Sequence, residues 1–282
     1  MAPETGHTFR AACVQMRSGL DRARNTEDAL SLIARAAREG ATFIATPEMT
    51  NAVDRKASRL LADLPGETGL EEIKAFADAA QRHGVWLLIG SLAVRLGEKA
   101  ANRSFLFSPR GEIVARYDKL HMFDVDLPGG ESWKESNVYE AGAGAAVVET
   151  PLASFGLSIC YDVRFPQLYR SLAQAGANVL CAPAAFTRQT GMAHWKTLLT
   201  ARAIENGAFV IAPAQGGRHE DGRETYGHSL IIGPWGETLA EAEGDEPGII
   251  LAEIDVRAAS EARQRIPNLA LEQSFKISII KQ

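Results

Sequence analysis

The stretch Phe155-Gly-Leu-Ser-Ile-Cys160-Tyr-Asp-Val-Arg164-Phe-Pro166 sets a short apolar run against an abrupt break in the hydrophobic pattern. Residues 155–160 predict a buried strand, which leaves Cys160 at the lip where strand becomes loop, and a helix is expected from Pro166 to Gln174. In α/β sheets the carboxyl ends of strands open onto the ligand crevice, so a thiol delivered there can meet a substrate while the strand holds it rigidly. A packing cysteine is the competing reading, since buried sulfur commonly acts as a small inert hydrophobe. Cys13 in Ala-Ala-Cys-Val and Cys181 in Val-Leu-Cys-Ala suit that inert description better, because both lie inside apolar segments.

Outward from this stretch the chain alternates between the two periodicities. Strands are predicted over 9–16, 42–46, 85–94, 103–107 and 112–117, with helices over 25–39 and from a Thr68-x-x-Glu71 capping box to Gly84. Residues 178–182 and 208–213 predict strands around a helix over 192–205. Strands over 229–233, 237–241 and 249–255 precede a helix over 257–265. Strands alternating with amphipathic helices predict an α/β fold, and the hairpin-like stretches make its sheets mixed. No linker or fixed-period repeat interrupts the pattern, so residues 1–282 are expected to form one domain. The Gly-, Glu- and Ser-rich segment 128–144 predicts a long surface loop, and long loops in compact domains are often functional.

Composition excludes several classes. With 46% hydrophobic and 23% charged residues the chain is neither disordered nor fibrous, and a net charge of −5 argues against nucleic-acid binding. Three cysteines make no disulfide framework and suit a reducing compartment. The opening Met-Ala-Pro-Glu-Thr-Gly-His has no signal-peptide pattern, and no apolar run approaches the ~18 residues of a membrane span. A cytoplasmic location without membrane attachment is therefore expected. Asn102-Arg-Ser104 matches a glycosylation sequon, a chance match in a protein that is not secreted.

A resting thiol needs a base or a nearby cation to attack at neutral pH. Glu48 follows Phe43-Ile-Ala-Thr-Pro47, and by the same strand-end logic it would project into the crevice. Lys119, in Tyr117-Asp-Lys-Leu-His121, lies just beyond a third predicted strand and could stabilise the oxyanion of acyl transfer. Taken singly, each also fits a solvated surface residue. A Cys-His pair is the competing arrangement, but no histidine lies in a protease signature around Cys160. His121 and His194 are expected to be structural hydrogen-bonders. Neither metal nor cofactor is expected, since no histidine has a ligand-spaced partner.

Three blocks then line up with a family. Thr46-Pro-Glu48-Met, Tyr117-Asp-Lys119-Leu-His-Met-Phe-Asp-Val-Asp-Leu-Pro-Gly129 and Ile159-Cys160-Tyr-Asp-Val-Arg164-Phe-Pro resemble, in order and spacing, the motifs of the nitrilase superfamily of carbon–nitrogen hydrolases. The resemblance extends to Ala184-Ala-Phe-Thr, Gly191-Met-Ala-His194-Trp-Lys, Ala201-Arg-Ala-Ile-Glu205-Asn and Gly227-His228-Ser. It implies a four-layer α-β-β-α sandwich, a Glu48-Lys119-Cys160 triad, and an auxiliary glutamate matching Glu135, with Glu131 as its rival in the same loop. It also implies a homodimer or larger homo-oligomer, paired through the helices over 166–174 and 192–205.

Within that superfamily the look is of amidases acting on deaminated glutathione or a related 2-oxo acid ω-amide, with cleavage through a cysteine thioester. The stretch Ala214-Gln215-Gly-Gly-Arg218-His219 favours that group, whereas Met192 and Gly233 depart from its usual proline and aspartate. An omega-amidase acting on 2-oxoglutaramate, or an N-carbamoyl amide hydrolase, is the alternative, and a binding protein that has lost its chemistry is the rival outside the class. The backbone N–H of Tyr161 would join Lys119 at the oxyanion. Because such substrates are anionic, Arg188 and Arg218 are candidate carboxylate partners. Arg164 and Glu205 are expected to pair in support of the cysteine loop.

Overall fold

The computed structural model describes residues 7–127 and 132–281. Among them, two large sheets carry the architecture. The first runs Gly248–Asp255, Thr8–Gln15, Phe43–Ala45, Trp86–Leu96, Lys99–Phe107 and Ile113–Asp118, with Tyr139–Glu140 beside Lys99–Phe107. The second runs Thr238–Glu241, Leu230–Ile232, Phe209–Ala212, Val179–Cys181, Ser154–Leu157 and Ala146–Glu149. Each sheet has a parallel centre of three strands flanked by antiparallel neighbours. Buried on both faces, the parallel strands are uninterrupted apolar triplets such as Phe43-Ile-Ala45 and Val179-Leu-Cys181.

The sheets pack face to face through aromatic contacts. Phe43 of the first stacks on Phe155 of the second with ring centroids 4.3 Å apart at 7°, and Phe9 meets Phe155 edge-on at 6.1 Å. Helices Arg22–Arg38 and Glu71–His83 cover the outer face of the first sheet, burying Ala29, Ile33, Phe76 and Ala80 against Val14, Ile44 and Leu87. Helices Pro166–Gln174 and Arg188–Asn206 cover the second through Leu168, Leu172, Trp195 and Leu199. The result is the expected four-layer α-β-β-α sandwich with mixed sheets.

Local chemistry shifts several boundaries. Asp21 caps the first helix by accepting the N–H groups of Ala23 and Arg24, so that helix starts earlier than the apolar stripe suggests. The proposed Thr68-x-x-Glu71 box does not form. Thr68 lies in a separate 3-10 turn, Glu67–Gly69, and Leu70 occupies the N-cap without a side-chain bond. The strand leading to Cys160 stops at Leu157, and Cys160 opens a 3-10 turn, Cys160–Arg164. Beyond Arg265 the described chain has no helix or strand, and Phe275, Ile277, Ile279 and Ile280 all stand in solvent. No described helix is long and apolar enough to cross a membrane.

Phe155 is fully buried between the sheets. Phe155→Ala is expected to cost about 3–5 kcal/mol through lost transfer energy and a residual cavity, read as a lower midpoint in urea unfolding with an unchanged slope.

Candidate active site

Three chain reversals bring Glu48, Lys119 and Cys160 to one cavity of about 610 Å³. Glu48 follows strand Phe43–Ala45 and Lys119 follows Ile113–Asp118 at once; Cys160 lies three residues past Ser154–Leu157. The strand-end logic holds for all three, although two of the strands end short of the reacting residue.

The cysteine turn is held in an uncommon conformation. Cys160 has φ of 50°, a left-handed region that costs a non-glycine residue of order 1 kcal/mol or more. Its N–H donates to the Pro183 carbonyl at 2.8 Å. Asp162 fixes the rest of the turn, accepting the N–H of Ile159 at 2.9 Å, the Tyr117 hydroxyl at 2.6 Å and the N–H of His121 at 3.0 Å. His121 also places Nδ1 2.7 Å from Asp162 and stacks on Phe165. One buried carboxylate thus binds the residues on both sides of Lys119 to the turn that bears Cys160. His121 is structural, as expected.

Glu48 is pinned at both ends. Its backbone and that of Met49 accept Gln215 Nε2 at 3.1 Å, and Gln215 also engages Ser18. The stretch that favoured one substrate group therefore includes a residue that braces this turn. Gly90 presses on the same place, where a Cβ would lie 2.1 Å from the Thr46 carbonyl and 2.5 Å from both Pro47 O and Pro183 Cβ. Only a residue without a side chain fits between the two loops.

The Glu48 carboxylate accepts Lys119 Nζ at 2.8 Å, Asn102 Nδ2 at 2.8 Å and the N–H of Ala185 at 2.9 Å, and its charge bears on the Cys160 thiol. Glu135 grips the other side of Lys119, its two oxygens at 2.9 and 2.8 Å from Nζ, and also accepts the Phe123 N–H at 2.7 Å. Glu135 is therefore the carboxylate that meets Lys119, while Glu131 lies outside the described residues. The described part of the segment, 132–144, is less irregular than expected: Ser132–Lys134 pairs with Asp124–Asp126, and Glu135–Asn137 forms a 3-10 turn against the cavity.

Burial and charge set the resting protonation. Burial alone would raise the Glu48 carboxyl, but the Lys119 ammonium outweighs it and holds Glu48 below its ordinary value. Burial opposes the charge on Lys119, yet Glu135 and Glu48 keep it well above the usual lysine range. Burial, and then the negative charge of Glu48, push the Cys160 thiol up. At the reacting end of the cavity Glu48 and Glu135 flank the Lys119 ammonium beside a neutral Cys160 thiol. Cys13 and Cys181 are buried strand residues whose thiols are also pushed up by burial, and neither lines it.

Other expectations need correction. Arg188 is the first residue of its helix, beginning four residues before the predicted start, and pairs with Asp245 on the surface. Arg218 is exposed on the strand Gly216–Arg218, and neither arginine lines the cavity. Arg164 does not pair with Glu205. It bonds His194 and lies over the rings of Tyr161 and Phe186, while Arg202 takes Glu205 at 2.7 Å. The cavity instead presents Arg55 and Arg223, beside Trp133, Phe123 and Tyr139. Sequence reasoning also passed over Asn102, known only as a chance sequon, although its amide bridges Glu48 and Glu135.

Residues 10–264 match the carbon-nitrogen hydrolase family, and the chain belongs to it. The chain is 43% identical over 266 residues to a deaminated glutathione amidase from Synechocystis sp., covering 93% of this chain and 97% of that protein. Its fold superposes on the crystal structure of the C. elegans NitFhit protein with a TM-score of 0.88 at 34% identity, covering 95% of this chain and 66% of that one. A mutant amidase from Nesterenkonia sp. carries the acetamide moiety of fluoroacetamide covalently added at its active-site cysteine; it matches with a TM-score of 0.78 at 26% identity over 96% of this chain and 98% of that one. The protein is an amide-hydrolysing enzyme.

The protonation pattern predicts the pH response. Glu48 stays ionised until pH falls below the ordinary carboxyl value of 4.5, and Cys160 keeps its proton above the ordinary thiol value of 9.0, so kcat/KM is expected to stay level between them. An acid limb at roughly 6.5, where imidazole titrates, would instead identify histidine as the base.

Proposed function

We propose that the enzyme hydrolyses deaminated glutathione or a closely related N-substituted ω-amide of a 2-oxo acid, through a thioester on Cys160. The observation that carries this reading is the meeting of one thiol, one ionised carboxylate and one buried ammonium at a single cavity. The names of the relatives support the substrate class, and the cavity volume of about 610 Å³ favours a substrate extended beyond a primary amide.

As the sulfur of Cys160 attacks the amide carbon, its proton passes to Glu48 and the carbonyl electrons move onto oxygen. Lys119 Nζ and the N–H of Tyr161, in the first turn of the 3-10 segment where amides lack intrahelical partners, stabilise that oxyanion. When the C–N bond breaks, Glu48 returns the proton to nitrogen so that a neutral amine, or ammonia from a primary amide, departs. Water then attacks the thioester, Glu48 accepts its proton, and the carboxylic acid leaves as the thiol is restored. Glu135 holds Lys119 on line and keeps it charged. A neutral resting thiol suits this order, since proton transfer and attack occur together rather than from a standing thiolate.

The free thiols suit a reducing compartment, which supports a cytoplasmic location. Exposed Met192 and Ile204 on helix Arg188–Asn206 support pairing of two copies there.

Cys160→Ala is expected to abolish turnover with the circular dichroism spectrum unchanged, and wild-type enzyme quenched with substrate should carry acyl mass on the Cys160 peptide. An adduct on Cys13 or Cys181 would overturn the assignment. Lys119→Ala should lower kcat by about 10²–10³-fold, the usual loss of an oxyanion donor, and a change confined to KM would contradict that role.

A further inference from the structure

Arg223 is 8% exposed, lines the catalytic cavity, and its Nε has no hydrogen-bond partner among the described residues. Burying a guanidinium with an unmet donor is costly, and such a group is a binding site when a ligand can supply the acceptor. The nearest carboxylate, Asp221, stands 3.9 Å from Nε. Its oxygens are already engaged by backbone, Oδ2 accepting the N–H of Arg55 and Oδ1 the N–H of Arg223, each at 2.8 Å. Asp221 thereby ties the two arginine-bearing loops together and leaves the guanidinium facing the cavity. Arg223 Nη1 makes only a weak contact, to the sulfur of Met49 at 3.6 Å.

Arg55 reaches the same place from the rim. Both guanidinium groups lie against the Trp133 ring, Arg223 at 4.4 Å and Arg55 at 5.1 Å from its centroid. Other charges lining the cavity are committed elsewhere. Asp54 is taken by Arg59 at 2.6 and 2.7 Å, Lys119 by Glu48 and Glu135, and Lys134 pairs with Asp126 at 3.5 Å. Buried Tyr139 feels Glu135, Arg223, Glu48 and Lys119 together, so the arginine and the catalytic cluster share one electrostatic neighbourhood.

We propose that Arg223, backed by Arg55 and the Trp133 ring, is a carboxylate subsite for the amine half of the substrate. Its position distinguishes the two ends of the amide. Met49, which touches Arg223, directly follows Glu48, and Glu48 is the group that hands the proton to the departing nitrogen. A leaving group on that side runs past Met49 toward Trp133 and the exposed Arg55, so an amine ending in a carboxylate, such as a short peptide, completes the hydrogen bonding of Arg223. This assignment rests on the amidase reading above. It adds the residue that reads the far end of that substrate: Arg223 takes the carboxylate of the leaving amine.

The test uses three ω-amides of a 2-oxo acid: one with a dipeptide as the amine, its twin with the dipeptide carboxylate capped as carboxamide, and one with the acyl-end carboxylate capped instead. Wild-type enzyme is expected to prefer the first over its amine-capped twin by about 10- to 100-fold in kcat/KM, the size of a charge-assisted hydrogen bond. In Arg223→Met, which keeps the stem beside Trp133, that ratio should fall to near unity, with Arg223→Lys between. An unchanged ratio, or a collapse of the acyl-end ratio in its place, overturns the assignment. Arg55→Met at the exposed rim should reduce the ratio by about two- to fivefold; if Arg223→Met fails to fold, no change in Arg55→Met refutes the subsite.

Binding is read separately from turnover by titrating the free dipeptide calorimetrically into Cys160→Ala and into Cys160→Ala with Arg223→Met. Dipeptide binding that weakens about tenfold or more on loss of Arg223 supports the subsite, and equal binding refutes it. If no 2-oxo amide is turned over, the proposed substrate fails alone and this titration still decides the role of Arg223.

Discussion

The buried ammonium of Lys119, clasped by Glu48 and Glu135, is the constraint around which the molecule is arranged. Nζ stands 2.8 Å from each carboxylate, with only 2% of the lysine side chain exposed. Taking such ions out of water costs several kcal/mol each, and mutual attraction offsets this only where every lone pair and proton finds a partner. Asn102, Ala185 and Phe123 supply those further donors from three separate parts of the chain. The same enclosure that makes the cluster expensive gives it force, because a low effective dielectric strengthens each charge–dipole contact at the reacting atoms.

That requirement accounts for the two-sheet design at the site. Glu48, Asn102 and Lys119 come from the first sheet and its loops, whereas Cys160, Pro183 and Ala185 follow strands of the second. Neither half holds the chemistry alone. Stacking of Phe43 on Phe155 fixes the distance between the sheets just upstream of the two strand ends, and Asp162 carries that rigidity into the loops. The positive φ of Cys160 persists because its N–H and its turn are each held from a different direction.

Features governed by neighbouring residues were legible in the chain before its fold was known. Helices Pro166–Gln174 and Arg257–Arg265 appear with the expected bounds, the first opened by a proline at its start and the second carrying an apolar stripe. Glu48 and Cys160 stood out because apolar runs broke next to them, and Lys119 because it lies just beyond a predicted strand and acyl transfer through a thiol needs a cation at the oxyanion. What escaped depended on contacts distant in sequence. The strand before Cys160 stops at Leu157 because Asp162 captures the Ile159 amide while bonding residues some forty positions away. Arg188 and Arg218 followed predicted strands just as a substrate arginine might, yet they face outward; Arg223 sits in an Asp-Gly-Arg turn that means little until Asp221 joins it to the loop of Arg55. Asn102 carried no local signal beyond its sequon, and its part in the cluster appears only when strand Lys99–Phe107 lies beside the Glu48 loop.

Gly90 shows how little slack this assembly has. It lies on strand Trp86–Leu96, touches no reacting atom, and presses against the carbonyls that precede Glu48 and against Pro183, whose own carbonyl receives the Cys160 amide. One added carbon there would shoulder aside the base and the nucleophile at once. In a lineage drifting from its ancestral chemistry, this position offers a way to switch off hydrolysis in a single mutational step while every reacting residue is retained in the sequence.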